Sequence, residues 1–513
     1  MSAAFSPLPA NRFDVYAAAH LIWRSGFGAP WEQVEAMQKL GMKTAVESLT
    51  AYKSGEDSGA PKSAKLPAET DKAFEERVKK LTEPERQKAR ELRGREEREK
   101  IGELRYWWLN RMLTTPRPLE EKMTLFWHSH FATGFNDKIE RAFPLWQQNE
   151  LFRQNALAPF DELTKKVVRD PAMLVWLDNA NNEKGRPNEN FGRELMELFT
   201  LGVGNYTEVD VKQAARALTG YHVNREQWSF VLNNGAHDTD EKTLLGKTGK
   251  WNAEDAVRII CEQPACGRFI AGKLLSFFVY ENPEPELLEE AAALFRAQGM
   301  NVGKFLAILF QSELFYSPKA RNSIVKSPVL LTIGALKSLR FAVPEREVLI
   351  DALRLMGQDL FFPPEVNGWV GGMSWINSNM LLIRYNFANF LLNGVSPDQF
   401  KTFKKETAGS ASKRRDFVEA QRTGKPIEWS PKQQLKDLGL DRRLATGADI
   451  VDYYIRQFLA RPLPRELRQQ FVNFAETDAS GGRKSFALTD TNFDERVRGL
   501  VHLMMSSPDY QLC

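Results

Sequence analysis

Apolar residues recur at helical spacing along most of the chain. Residues 11–24 carry them on one face, and Gly26 and Gly28 end the run. Pro30 opens the next helical stretch and Gly41 interrupts it. Thr207-Glu208-Val209-Asp210 reads as a variant capping box ahead of the amphipathic run 211–218, which Gly220 closes. Pro264, Pro283, Pro328, Pro344 and Pro464 fall near the starts of further helical segments. The pattern predicts a mainly α, multi-helix fold. One region departs from it: the short runs 228–232 and 240–245 flank Asn234-Gly235, the usual turn signal of a hairpin. A single small β-hairpin insertion near residues 228–245 is therefore expected, with His237 and Asp238 just past its turn.

Two stretches break the periodicity. Residues 53–100 are rich in Glu, Lys and Arg and open with Gly, Ser and Pro. Their first part reads as a linker, and 71–106 as a solvated, charged helix. Residues 397–438 are again polar, with few apolar positions. The organisation predicted is N-terminal helices with a charged segment (1–104), a helical core domain (105–395), a polar linker or insertion (396–440) and C-terminal helices (441–513). No internal repeat is found.

Composition narrows the function classes. The chain has 513 residues, with 70 basic against 66 acidic side chains and a net charge of +4, so no global field favours nucleic acid. Apolar runs such as 269–280 are short and carry Lys273, so no bilayer span is expected. Residues 1–11 have no basic n-region or apolar core of a signal peptide, which predicts a cytoplasmic location. Three cysteines exclude a disulfide framework, and the Cys261-x4-Cys266 spacing matches no common zinc or redox motif.

The candidate chemistry sits in three polar stretches. The chain has 6 histidines, and two fall in Trp127-His128-Ser129-His130-Phe131. Residues two apart on a helix diverge by about 200°, so His128 and His130 cannot share one metal while the helix continues. Either the helix ends near Ser129, or one ring faces a site and the other packs. In the second stretch Asn190, Glu194, Glu197 and Leu201 follow one helical face, beside the apolar Phe191, Leu195, Leu198 and Phe199. Arg193 and Glu197, four apart, are placed to pair. The preceding cluster Asp178-Asn179-Ala180-Asn181-Asn182 suits turns and ligand contacts. The third stretch, from Pro363 through Gly368-Trp369 to Trp375, has glycines for tight turns; its tryptophans either stack on a sugar or, on the burial habits of aromatic side chains, plug a core. There is no His-Glu-x-x-His, Walker A, Gly-x-Ser-x-Gly or Glu-x-x-His motif, so the common zinc-protease, nucleotide, nucleophile-elbow and ferritin-like di-iron solutions are disfavoured.

The run Glu121-Lys122-Met123-Thr124-Leu125-Phe126-Trp127-His128-Ser129-His130-Phe131 resembles the hallmark of an uncharacterised bacterial family, domain of unknown function 1800. So does Pro187-Asn188-Glu189-Asn190-Phe191-Gly192-Arg193-Glu194-Leu195-Met196-Glu197-Leu198-Phe199-Thr200-Leu201-Gly202, with Gly192 where the family more often has alanine. The likeness extends from His20–Gly28 to Gly368-Trp369 and Arg384. It implies a predominantly helical protein without an established activity. Family members are often exported, and tend to be encoded beside a sulfatase-like family, domain of unknown function 1501.

Two functions are then in view, and the motifs, rich in groups that titrate, point first to the enzyme. One is a metal-assisted hydrolase acting on a polar, glycan-like substrate. It would use a divalent metal held by His128, His130, Glu194 and His237, with Glu197 and Asp238 as catalytic groups and Asn179, Asn190, Arg193 and Trp369 contacting substrate. The other is a non-enzymatic binding or assembly partner of the sulfatase-like neighbour, whose polar motifs form a structural network.

Overall fold

A computed structural model describes residues 3–52, 59, 61, 69–393, 429–441, 443, 444, 446–477, 482 and 486–513. Most of the expected polar linker 396–440, and most of the expected linker at the start of 53–100, lie outside these residues. The described chain is mainly helical and carries two small two-stranded antiparallel sheets. No helix among the described residues is long and apolar enough to cross a membrane.

The chain forms two compact units, each assembled from separated segments. The first comprises Met1–Leu8, Lys43–Ala320 and Asp359–Val370; the second comprises Pro9–Met42, Arg321–Gln358 and Gly371–Cys513.

In the first unit, the helix Glu83–Thr114 packs against the helices Pro118–His130 and Ala142–Gln154. The charged stretch expected as one helix is two, Asp71–Val78 and Glu83–Thr114. Thr82 and Glu85 form a capping box that restarts the helix, with Pro84 in its first turn. Nor is the second helix wholly solvated: its C-terminal half buries Ile101, Leu104, Trp108, Leu109 and Met112.

Glu189–Glu197 packs on Glu208–Ala217, whose capping box is the one read from Thr207 and Asp210. The two helices approach closely at Gly192, where an added Cβ would lie 3.0 Å from the Ala215 nitrogen and 3.1 Å from the Val211 oxygen.

The predicted β region contains strands, paired differently from expectation. β1 (Tyr221–Asn224) pairs with β2 (Ser229–Leu232), and β3 (Lys242–Leu244) with β4 (Lys247–Gly249). Leu245 and Gly246 supply the two positive φ angles, 47° and 79°, of the tight β3–β4 turn. Asn234-Gly235 closes no hairpin. The Asn233 side chain accepts from Gly235 N at 3.0 Å and turns the chain away from β2 instead.

The second unit packs the helix Val15–Ser25 where Gly334, in the helix Pro328–Leu339, leaves room for the Trp23 ring. The helices Ser378–Asn393, Gly447–Phe458, Arg465–Glu476 and Phe493–Met505 also belong to it.

The segment Asp359–Val370 returns to the helix Pro118–His130 of its own unit. Gly368, at φ +76°, lies so close to Ser129 that a Cβ there would collide with the Ser129 carbonyl oxygen. Gly368→Ala adds this clash to a left-handed backbone and should cost about 2–4 kcal/mol in urea unfolding. A loss within experimental error would mean that the segment does not dock there.

Candidate functional site

The candidate metal, catalytic and substrate-contacting residues all lie in the first unit, whereas His20–Gly28, Gly371–Trp375 and Arg384 lie in the second. Two of the candidates, His128 and His130, lie on the helix Pro118–His130. Pro118 opens it, and it stays helical through both histidines, so their rings point to different neighbours.

Glu121 is fully buried and is held by three donors. Trp108 Nε1 donates to Oε2 at 2.8 Å, Arg153 reaches both oxygens at 2.7 and 3.0 Å, and Arg111 Nε donates to Oε1. Burial alone would raise this carboxyl, but Arg153 and then Arg111 outweigh it and hold it below the usual range. Arg153 also donates to Asn149 at 2.7 Å and pairs with Glu150. Neighbouring Glu120 pairs with Arg117 at 2.9 Å.

His128 is two turns beyond Glu121 on the same helix side. Its Nε2 accepts from the backbone N–H of Phe361 at 3.1 Å, which assigns the ring proton to Nδ1. Trp108 meets the ring edge-on at 5.3 Å, and Phe361 and Trp369 close around it at 4.9 and 5.6 Å. Burial lowers the imidazole to about 3, so the ring is neutral at physiological pH. Phe361 sits at φ +62°, an uncommon conformation for a bulky residue, with its N–H spent on His128 and its carbonyl accepting from Phe135 N at 2.8 Å.

His130 faces away from this cluster, into Phe126, Phe131, Phe160 and Phe199. Its Nε2 lies 3.0 Å from the Phe199 carbonyl and its Nδ1 3.2 Å from Lys273 Nζ. The carbonyl can only accept, so Nε2 carries the proton and Nδ1 accepts from the lysine. Burial, then the lysine charge, pushes His130 well below its ordinary value, and burial lowers Lys273 to about 8.

The remaining candidates also have internal partners. Asn179 donates to the carbonyls of Leu218 and Tyr221 at 3.1 and 3.2 Å and accepts from Asn182. Asn190 donates to Leu177 O at 3.0 Å. Arg193 forks onto Glu208 at 2.8 and 2.7 Å and also pairs with Glu189; the expected pairing with Glu197 is replaced, and Glu197 accepts from Tyr206 instead at 2.6 Å. His237 Nδ1 donates to Thr219 O at 2.8 Å. Asp238 accepts from Arg216 at 2.7 Å and, although burial opposes it, is held below its ordinary value by that arginine. Trp369 is half-buried and packs on His128.

The candidate metal ligands do not converge. Among the described residues, no three His, Cys, Asp or Glu side chains come together as a metal-ion site. The lone pairs of His128 Nε2 and His130 Nδ1 are already occupied by N–H donors, which leaves Glu194 and His237 without the other two ligands. One acid–base feature stays open: Glu194 is half-buried, and burial and then the adjacent Glu197 raise its carboxyl. Sequence reasoning passed over Glu121, Arg153, Trp108 and Lys273. Glu121 opens the hallmark run, but nothing in its spacing tells a buried carboxylate from a solvated one.

Removing one charge from the buried cluster should be severe. Glu121→Gln leaves Arg153 buried with a neutral partner and should cost about 3–5 kcal/mol in chemical unfolding; a cost below about 1 kcal/mol would place the cluster in water. The lowered His128 also has a signed consequence. The unfolded chain takes up this proton first, so stability falls as pH drops below about 6.5, and goes on falling to about 3. Relative to His128→Gln, the wild type should lose about 1.4 kcal/mol per pH unit between about pH 6 and 5. Parallel pH curves for the two proteins would contradict the buried neutral ring.

Residues 20–512, nearly the whole chain, match the family model described as protein of unknown function (DUF1800). No curated protein and no solved structure matches. The match spans the buried Glu121 and His128, the His130–Lys273 pair and the docked Gly368-Trp369, and the chain belongs to the DUF1800 family.

Proposed function

We propose that this protein is a binding or assembly component, and that its signature motifs serve its architecture rather than metal-assisted hydrolysis. The observation that carries this reading is where the motif polar groups are spent. Glu121, His128, His130 and Asn179 are buried and bonded inward, and Arg193 and Asp238 are held in ion pairs. A divalent metal on His128, His130, Glu194 and His237 does not fit this arrangement, so no catalytic step is routed through one. Outward chemistry near the second motif has the character of a contact surface: Val203 and Val209 are 78% and 61% exposed, in the same segment as the Arg193–Glu208 pair. The partner proposed is the sulfatase-like protein that family members tend to have encoded beside them.

A second reading keeps a hydrolase acting on a polar, glycan-like substrate. It rests on Glu194, whose raised carboxyl beside Glu197 is the kind of pair that separates an acid from a base. The two readings part in one experiment on purified full-length protein. Binding of the neighbouring product at micromolar concentration, unchanged by Glu194→Gln and with no stoichiometric metal by elemental analysis, is expected. Absence of binding, together with glycan hydrolysis that Glu194→Gln abolishes, would overturn the assembly reading.

A further inference from the structure

We propose that the second unit holds a binding site for a small oxyanion, built around the ammonium of Lys326. A cavity in this unit is lined by Tyr16, His20, Trp23, Arg321, Lys326 and Arg461, among others. Its empty space is about 410 Å³ counted out to its open mouth, and its enclosed part takes only about two water-sized groups. That size admits the head of a carboxylate, sulfate or phosphate and excludes a larger enclosed ligand.

Lys326 is 2% exposed. Its backbone is fixed: Lys326 N donates to Gln511 O at 2.8 Å, just before Ser327 caps the helix Pro328–Leu339. Its ammonium lies 4.1 Å from the centroid of Trp23 and 4.0 Å from that of Tyr510, between two aromatic faces. Among the described residues it makes no hydrogen bond and no ion pair. Ring faces attract a cation but replace only part of its hydration. A second cation stands behind it. Arg384, also 2% exposed, donates to Lys326 O at 2.8 Å and to Gln511 Oε1 at 3.1 Å, both neutral acceptors. Arg24 adds a third, donating to Ser323 Oγ at 3.1 Å and to an oxygen of Cys513 at 2.9 Å; Cys513 lines the cavity and its negative charge acts on both Arg24 and Lys326, one anion against three buried cations. At the rim, the carboxylate of Asp509 pairs with Arg461.

A buried ammonium without an acceptor has two ways to lower its cost: release its proton or take up an anion. Burial lowers Lys326 to about 7, with Arg384 adding to the effect and the negative charge of Cys513 opposing it, so both routes lie within reach at neutral pH. Lys326 lines the cavity together with Arg321 and Arg461, whose charges would draw an oxyanion toward it.

The test uses the full-length protein with inorganic phosphate, sulfate and acetate, each against sodium chloride at equal ionic strength. Cyanate carbamylation of Lys326, followed by peptide mass spectrometry, reads the amine directly in the wild type. An anion at about ten times its dissociation constant should slow that reaction about tenfold and leave the exposed Lys43 unchanged. The effective anions should also raise the thermal midpoint of the wild type and not that of Lys326→Met. Which anion protects tells phosphate and sulfate from carboxylate. Equal protection of Lys43, no protection by any anion, or the same thermal rise in Lys326→Met would overturn the proposal.

Discussion

The buried Glu121 carboxylate is the constraint on which the first unit depends. A charge removed from water costs several kcal/mol unless partners replace its solvent, and here they come from two other helices: Trp108 and Arg111 from one side, Arg153 from the other. Three helices are thereby fixed in register, because moving any of them strands an ion. Trp108 then transmits the constraint. The ring that donates to Glu121 packs edge-on against His128, and His128 in turn fixes the backbone of Phe361. The chain returning at Asp359–Val370 is set down on this surface, with Gly368 against Ser129 and Trp369 over the histidine ring.

Helical geometry explains why two histidines stand so close in sequence yet share nothing. Glu121 and His128 are seven apart and face the arginine cluster and Phe361. His130 belongs to the side of Met123, Phe126 and Trp127, and faces the phenylalanine layer and Lys273. The divergence was legible from spacing alone. The partners were not, because they are 233 residues away for His128 and 69 for His130. Local signals fared well where the physics is local: the Thr207 box and the proline-initiated helices. They failed at Asn234-Gly235, where a neighbouring asparagine captured the turn, and along 83–114, where a mostly charged helix proved to have a buried end.

The polar motifs therefore have a physical reason to be long without being catalytic. A buried network whose ions are paired specifies one packing and penalises every other, so each member depends on the rest, even though His128 Nδ1, Glu120 Oε1 and Asn149 Nδ2 find no hydrogen-bond partner among the described residues. Groups that titrate in water are driven away from their ordinary values here by burial and neighbouring charge, the environment that also prepares catalytic groups. What separates the two cases is access. The histidines spend their lone pairs on the protein's own N–H groups, and Asn179 and Asn182 donate to main-chain carbonyls at Tyr221 and Ala215.

The central claim is that both signature histidines are neutral and bonded inward. Ring-nitrogen NMR of histidine-labelled protein between about pH 8 and 5 tests it most directly. His128 should stay in the Nδ1–H tautomer and His130 in the Nε2–H tautomer throughout, with no response to added zinc. Titration of either ring near its ordinary value, or a shift on adding zinc, would contradict it.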